Sequence, residues 1–389
     1  MESTLKRTWA EINLDSLIYN YKTIREYIGD NVKFLGVVKA DSYGHGAVEV
    51  SKALEEAGAD YLAVSSIDEA TELRENGIKM PILILGHTPR EQVKKLIDYD
   101  ITQAVTCKAK ALEYSEEAVK NNGTLKVHIK VDTGMSRLGF LCDGDFFDTG
   151  ADGICEAVKL PGLLPEGIFT HFAVADEEGE KEDAYTKHQF ELFKKVCDAV
   201  EEKSGIKFSI RHCANTGATV RFKETHLEMV RPGLLLYGYG EYAHRLKLKP
   251  VMTLKTCVST VKVYPKDTYI SYGGIFKTDK KTRVGVLPYG YADGFFRSLS
   301  NKCSLYTDAG KAKQLGKICM DMCMIDLTDK PNVDVGSEIE IFGEHNPIEE
   351  LSEIAGTIPY ELTCAVSKRV PRVYIKDGKV LKKELLLRM

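Results

Sequence analysis

The chain has no run of lysine and arginine dense enough to form a basic block. Its 53 basic and 57 acidic residues leave a formal net charge of -4. That balance argues against a nucleic-acid groove or a polybasic membrane patch. No stretch is apolar and long enough to span a bilayer. The opening residues, MESTLKRTWAEI, lack the apolar core of a secretory signal, so the expected location is the cytoplasm. Cys-x-x-Cys is also missing. The ten cysteines are scattered, several in apolar segments such as those of Cys155, Cys197, Cys257 and Cys364. Cys319 and Cys323 have no matching histidine or cysteine cluster, so no metal site is expected. Reduced core thiols are the better reading. Low-complexity segments are absent, as are repeats beyond strand–helix units.

What remains is the composition of a globular enzyme, 43% apolar and 28% charged over 389 residues. That length favours two domains. Eight short apolar runs read as strands: Phe34–Lys39, Tyr61–Ser65, Ile82–Leu85, Thr102–Val105, Lys126–Val131, Gly167–His171, Phe208–His212 and Met229–Leu236. Most lack clean alternation, as strands buried on both faces do. Segments with helical spacing separate them, among them Val48–Ala57 and Tyr185–Glu202. Strands alternating with helices predict a parallel sheet, and eight such units predict a (β/α)8 TIM barrel over residues 11–245. Beyond residue 245 the pattern turns to strands and tight turns, with a helix possible near Pro347–Gly356. Residues 246–389, joined by residues 1–10, are expected to form a mostly β domain. The charge run Asp176–Asp183 reads as a solvated loop.

Polar clusters stand at the ends of the barrel strands, where this architecture places its chemistry. Lys39 closes the first strand. It is either a snorkelling rim lysine or an amine poised for Schiff-base chemistry. Asn215, Thr216 and Gly217 resemble a helix start, either a plain cap or an anion seat. The neighbouring small-residue loop at Gly233 and Leu234 favours phosphate. Arg231 cannot lose its proton and, if buried, needs an acceptor: a core carboxylate or a cofactor ring nitrogen. His171 ends the sixth strand. Arg137 follows the fifth and could hold a substrate carboxylate. In the second domain, clusters around Tyr272, Tyr291 and Met320-Asp321 combine aromatics with tight turns. They point to a site shared between domains or subunits.

The stretches VVKADSYGHG, KVDTGMSRLGF, THFAVADE, CANTGA, VRPGLLLYG, ISYGGIF, PYGYADGF, CMDMCMIDL and TIPYELTCAVSKRVPR, preceded by WAEINLDSL, follow one another in order. Over nearly its whole length the chain resembles bacterial alanine racemases, which use pyridoxal phosphate. The resemblance implies that Lys39 holds the cofactor as a Schiff base and serves as one base. Tyr272 would be the second base, given by the partner subunit of a homodimer. Tyr43, Asn215, Thr216, Gly233, Leu234 and Tyr360 would hold the cofactor, chiefly its phosphate. Arg231 would face the pyridine nitrogen, with His171 linking it to Tyr272. Arg137 and the partner subunit's Met320 would bind the alanine carboxylate. Tyr291 would narrow the entrance, with Asp321 nearby. Lys130, seven residues before Arg137, has the spacing of a lysine that can be carbamylated. Racemisation needs acid/base groups on both faces of one carbon, and a cationic network would favour the phenolate of a tyrosine that otherwise titrates near ~10.

The implied activity is the interconversion of L- and D-alanine, supplying D-alanine for peptidoglycan. The chain departs from the family pattern at Lys317 and Met322, where arginine and glutamine are expected. Thr216 stands where serine is common, and Gly-Gly-Ile-Phe follows Tyr272. A serine or broader racemase is the nearest alternative. The related decarboxylases carry a glycine-triplet phosphate loop and a cysteine-centred motif, and neither is present. Cofactor carriers of this barrel type lack a second domain.

Overall fold

The structure, a computed structural model, describes residues 7–385. Residues 1–6 and 386–389, part of the expected β-rich domain, lie outside the described residues. The described chain forms two compact units. One comprises Tyr21–Ser42 and Ala47–Leu236. The other comprises the described residues up to Asn20, Tyr43–Gly46, and those from Tyr237 onward.

The first unit is a parallel barrel. Its strands are Lys33–Val37, Tyr61–Val64, Ile82–Ile84, Thr102–Val105, Leu125–Asp132, Leu163–Phe169, Ile210–His212 and Met229–Val230. Each pairs in parallel with the next in sequence down to Ile210–His212, and Met229–Val230 pairs back onto Lys33–Val37. Between the seventh and eighth strands the backbone bonds Glu228 N–H to Arg211 O (3.3 Å) and Arg231 N–H to Ala214 O (3.0 Å) almost complete the ring. The strands are largely apolar because both faces are covered. Phe34, Leu35, Leu62, Ile82, Ile84, Val127, Ile129 and Ile168 are fully buried. All eight expected strands are present, most with ends displaced by a few residues; the eighth is cut to Met229–Val230, and Leu234–Tyr237 is a 3-10 turn instead. Helices Ala47–Ala57 and Glu180–Ser204 match the two periodic segments.

Two local readings change. The run Asp176–Asp183 is only partly a loop, because Glu180–Asp183 forms the first turn of the helix ending at Ser204. Acidic residues suit that position, where the helix dipole is positive. Lys39 does not close a strand. The first strand stops at Val37, and Ala40, Asp41, Ser42 and Tyr43 follow with φ of 52–53°. This is a single left-handed turn built from non-glycine residues, at a typical cost of about 1–2 kcal/mol each. Asp41 Oδ1 accepts the N–H of Ala47 (2.7 Å), and Glu69 Oε1 accepts that of Ala40 (2.6 Å). These bonds hold the turn against its strain.

The second unit is built on a 10-stranded sheet in the order Thr260–Tyr264, Thr282–Leu287, Cys323–Asp326, Gly310–Leu315, Ser304–Thr307, Glu338–Phe342, Met252–Cys257, Thr8–Asn13, Arg372–Lys376, Lys379–Glu384. The strand Thr8–Asn13 runs antiparallel to Met252–Cys257 and parallel to Arg372–Lys376. The helix expected near Pro347–Gly356 is Ile348–Ala355, and a second short helix, Pro359–Cys364, carries Tyr360. Among the described residues no helix is long and apolar enough to cross a membrane.

Candidate active site

Arg231, immediately after the last barrel strand, is buried and points its guanidinium across the strand ends. Nη1 donates to His212 Nδ1 at 3.0 Å. Nη2 donates to Thr170 O (2.8 Å), Cys213 O (3.1 Å) and His171 Nδ1 (3.2 Å). These partners are imidazoles and carbonyls rather than carboxylates. Burial pushes the guanidinium down to about 10. His171 and His212 are pushed well below the usual imidazole range by burial, then by the charge of Arg231. Both rings are therefore neutral at neutral pH. His171 lies two residues beyond its strand rather than on it.

At the turn after the seventh strand, Asn215 caps the short helix Thr216–Arg221, its side chain accepting the Ala218 N–H at 3.0 Å. Gly217 N–H donates to Asp176 Oδ1 at 2.7 Å, and Gly233 N–H donates to Thr216 Oγ1 at 3.1 Å. A side chain at 217 would meet Ala175 O at 2.4 Å. The expected cradle is thus tightly closed, and Asp176 sits on one of its amides. Leu234 opens the 3-10 turn that ends at Tyr237.

Along Leu125–Asp132, the side chains of His128, Lys130 and Asp132 share a period of two and are all buried. Lys130 Nζ lies 4.6 Å above the Phe169 ring. Burial lowers its amine well below the usual lysine range, and Arg231 and Arg137 lower it further. Asp132 Oδ1 accepts the N–H groups of Gly134 and Ser136, both at 3.0 Å, and so shapes the turn carrying exposed Arg137. Half-exposed Lys39 adds its charge to those acting on His171. The barrel therefore gathers Lys39, Lys130, Arg137, His171 and Arg231. His128 and His212 are the partners that the motifs alone did not single out. The alternation His128-Lys130-Asp132 was the available signal.

In the second unit, Tyr43 stacks on Tyr360 (ring centres 4.9 Å apart) and meets Tyr237 edge-on at 5.4 Å. Burial raises the Tyr43 phenol, keeping it a hydrogen-bond donor. Gly44 and Gly46 have positive φ, and a side chain there would strike Thr363 O or the Tyr374 hydroxyl. Farther along, Tyr272, Tyr291, Arg297, Ile318, Cys319 and Met320 line an open cleft of about 700 Å³. Tyr272 is 69% exposed on a turn anchored by Ser271 Oγ donating to Lys317 O at 2.6 Å. Lys317, one of the departures, runs beneath Gly273, where a side chain would lie 2.9 Å from its Nζ. Met322, the other, is exposed. Tyr291 N–H donates to Cys319 O and Ala292 N–H to Met320 O, both at 3.0 Å. Asp321 is held by Arg369 Nη2 at 2.6 Å.

Residues 12–241 match the sequence profile of the alanine racemase N-terminal domain, and residues 251–374 that of the alanine racemase C-terminal domain. The chain belongs to the alanine racemase family. It is 46% identical to the alanine racemase of Clostridium tetani, over 97% of each chain. It is 44% identical to alanine racemase 1 of Clostridium acetobutylicum, over 97% of this chain and 98% of that one. The solved alanine racemase of Clostridium difficile 630 superposes with a TM-score of 0.93 at 38% identity, covering 99% of this chain and 100% of that one. An alanine racemase chain thus accounts for both the barrel and the β-rich unit.

Proposed function

We propose that the protein is a pyridoxal-phosphate-dependent racemase that interconverts L- and D-alanine, supplying D-alanine for peptidoglycan. The carrying observation is buried Arg231, met by two imidazole nitrogens and two carbonyls at 2.8–3.2 Å. A guanidinium held by neutral acceptors, and itself only a donor, suits a neutral ring nitrogen, and a cofactor with a pyridine fits it. The Gly217 and Ala218 amides already donate to Asp176 and Asn215, so the phosphate roles rest on the family resemblance rather than on a vacant helix start. Asn215, Thr216, Gly233, Leu234, Tyr43 and Tyr360 keep the cofactor-holding roles that the resemblance implies.

When bound, pyridoxal phosphate would supply an aldehyde for the substrate amine and an electron-withdrawing ring that acidifies the α-hydrogen. The rest falls to the chain. Lys39 would hold the cofactor in the resting enzyme and, as a free amine, would move a proton at one face of the α-carbon. Tyr272, supplied by the partner subunit of a homodimer, moves a proton at the other. Exposure of Tyr272 (69%) and Met320 (53%) fits side chains that reach a second copy. Because Arg231 occupies His171 Nδ1, that ring carries its proton on Nε2 and can donate it to a tyrosinate. Arg137 and Met320 bind the carboxylate, Tyr291 narrows the entrance, and Asp321 steadies the loop of Met320. Lys130, its amine shifted toward the neutral form by burial, is suited to carbamylation, which would place an anion beside Arg137. We also place the protein in the cytoplasm, and its two domains at residues 11–245 and at 246–389 with 1–10.

L-alanine incubated with the protein and pyridoxal phosphate should lose its circular dichroism while total alanine stays constant. An unchanged signal would redirect the assignment to serine or another amino acid.

A further inference from the structure

The hydrogen bonds of Arg231 continue away from the proposed site, down into the barrel. His212 Nε2 lies 2.9 Å from His128 Nδ1. His128 Nε2 has no other hydrogen-bond partner and faces Glu166 Oε2 at 3.5 Å. Tyr61 donates its hydroxyl to the same Glu166 oxygen at 2.6 Å. Both imidazoles are fully buried. The assembly is built for these rings. Gly167 faces His128 across the strand pair, and a side chain there would come within 2.7 Å of the imidazole. Phe169 stacks flat on His212, at 4.7 Å and 6°.

The donors can be ordered in only one way. An arginine only donates, so His212 Nδ1 is bare and its proton sits on Nε2. That proton points at His128, so His128 Nδ1 is bare as well. The remaining proton, on His128 Nε2, points at a carboxylate. Burial favours the neutral form of both rings, and His128 and Tyr61 hold the Glu166 carboxyl below its usual range.

We propose that Glu166 and His128 are positioning residues for Arg231: acting through His212, they fix two tautomers in series so that the guanidinium always meets a lone pair. This lies on the half of the barrel usually given over to stability rather than chemistry. Its meaning for turnover rests on the reading of Arg231 given above. Without the carboxylate, His128 gains nothing by holding its proton on Nε2. His212 can then present an N–H to Arg231, donor against donor.

The test is long-range 1H–15N correlation of the histidine rings in the holoenzyme, with His212 assigned by its loss in His212→Asn. In the parent, both His212 and His128 should be neutral with the proton on Nε2. Glu166→Met, of similar length with no acceptor, should split or shift the His212 signals and lower kcat roughly tenfold, with KM changing less than about twofold. Glu166→Gln keeps an acceptor and should restore both. A proton on His212 Nδ1 in the parent overturns the proposal. So does a Met variant with parent His212 signals and kcat, or a Gln variant that loses them. Should Glu166→Met not fold, the parent spectrum and the Gln variant still decide. The ring spectra need no turnover, so absent racemisation with ordered tautomers would refute the activity and leave the relay standing.

Discussion

Arg231 Nη1 lies 3.0 Å from His212 Nδ1, while its Nη2 reaches His171 Nδ1 at 3.2 Å. One guanidinium therefore dictates the tautomer of two histidines. A lysine cannot do this, having one nitrogen in place of a planar fork. Arg231→Lys should lower kcat/KM for L-alanine and for D-alanine at least about tenfold. Steady-state racemisation in both directions checks it, and a lysine variant with parental kcat/KM would remove Arg231 from the mechanism.

Histidines whose proton affinity is lowered in the fold also tie stability to pH. His128, His171 and His212 all have folded-state values below the usual imidazole range, chiefly through burial. The unfolded chain, with histidines near ~6.5, binds more protons than the folded chain once the pH drops below that value. Their contribution is therefore complete above pH ~6.5 and declines as the pH falls through and below it. Thermal unfolding should show a falling midpoint between about pH 6.5 and 5.5. Replacing His128 with glutamine should flatten that fall, and an unaltered slope would mean the histidines do not carry it.

The barrel was legible because its strands are short, apolar and regularly separated by helical periodicity. Strand ends were less so. Val38-Lys39 reads as a continuing strand, since nothing in Ala40-Asp41-Ser42-Tyr43 announces four left-handed residues. Hydrogen bonds to Glu69 and from Ala47, which form in the fold, help support them. Proposed site residues carried by contiguous motifs, such as Arg231 and Tyr272, could be named from the sequence. Glu166 and His128 could not. Glu166 is distant in sequence from Arg231, and its connection exists only through two rings that meet inside a closed barrel.

The left-handed turn offers a stability test. Ala40 has φ of 52° and an exposed side chain, so glycine would relieve strain and lose little packing. Ala40→Gly should raise stability by about 1 kcal/mol, the strain relieved outweighing the added freedom of the unfolded chain. Urea unfolding would detect it. A clear loss of stability would mean that the Ala40 methyl contributes packing that its exposure conceals.

Lys130 makes a chemical prediction. Its amine is buried, with Arg231 and Arg137 lowering its proton affinity further. A neutral amine attacks carbon dioxide, forming an N–C bond and releasing a proton. Protein equilibrated with 13C-bicarbonate should show one slowly exchanging carbamate resonance, absent in Lys130→Ala. If the resonance is missing, Lys130 is instead an unmodified amine packed on Phe169.

Asp293 tests the second unit. It is completely buried and receives Arg7 Nη1 at 3.0 Å, Arg369 Nε at 2.7 Å and the Gly290 N–H at 3.0 Å. Arg369 reaches on to Asp321 at 2.6 Å, beside Met320. One carboxylate thus joins the loop of Tyr291 to the loop of Met320 through a single arginine. Asp293→Asn keeps the size but removes the charge, leaving two arginines without their shared anion. Removing one partner of a buried pair typically costs about 3–5 kcal/mol; Arg7 and Arg369 are partly solvated, so about 2 kcal/mol is expected here. Loosening both loops should also raise KM for alanine more than it lowers kcat. Urea denaturation together with steady-state kinetics separates the two effects. A variant that is destabilised with unchanged KM would show that the network holds the fold without ordering the loops of Tyr291 and Met320.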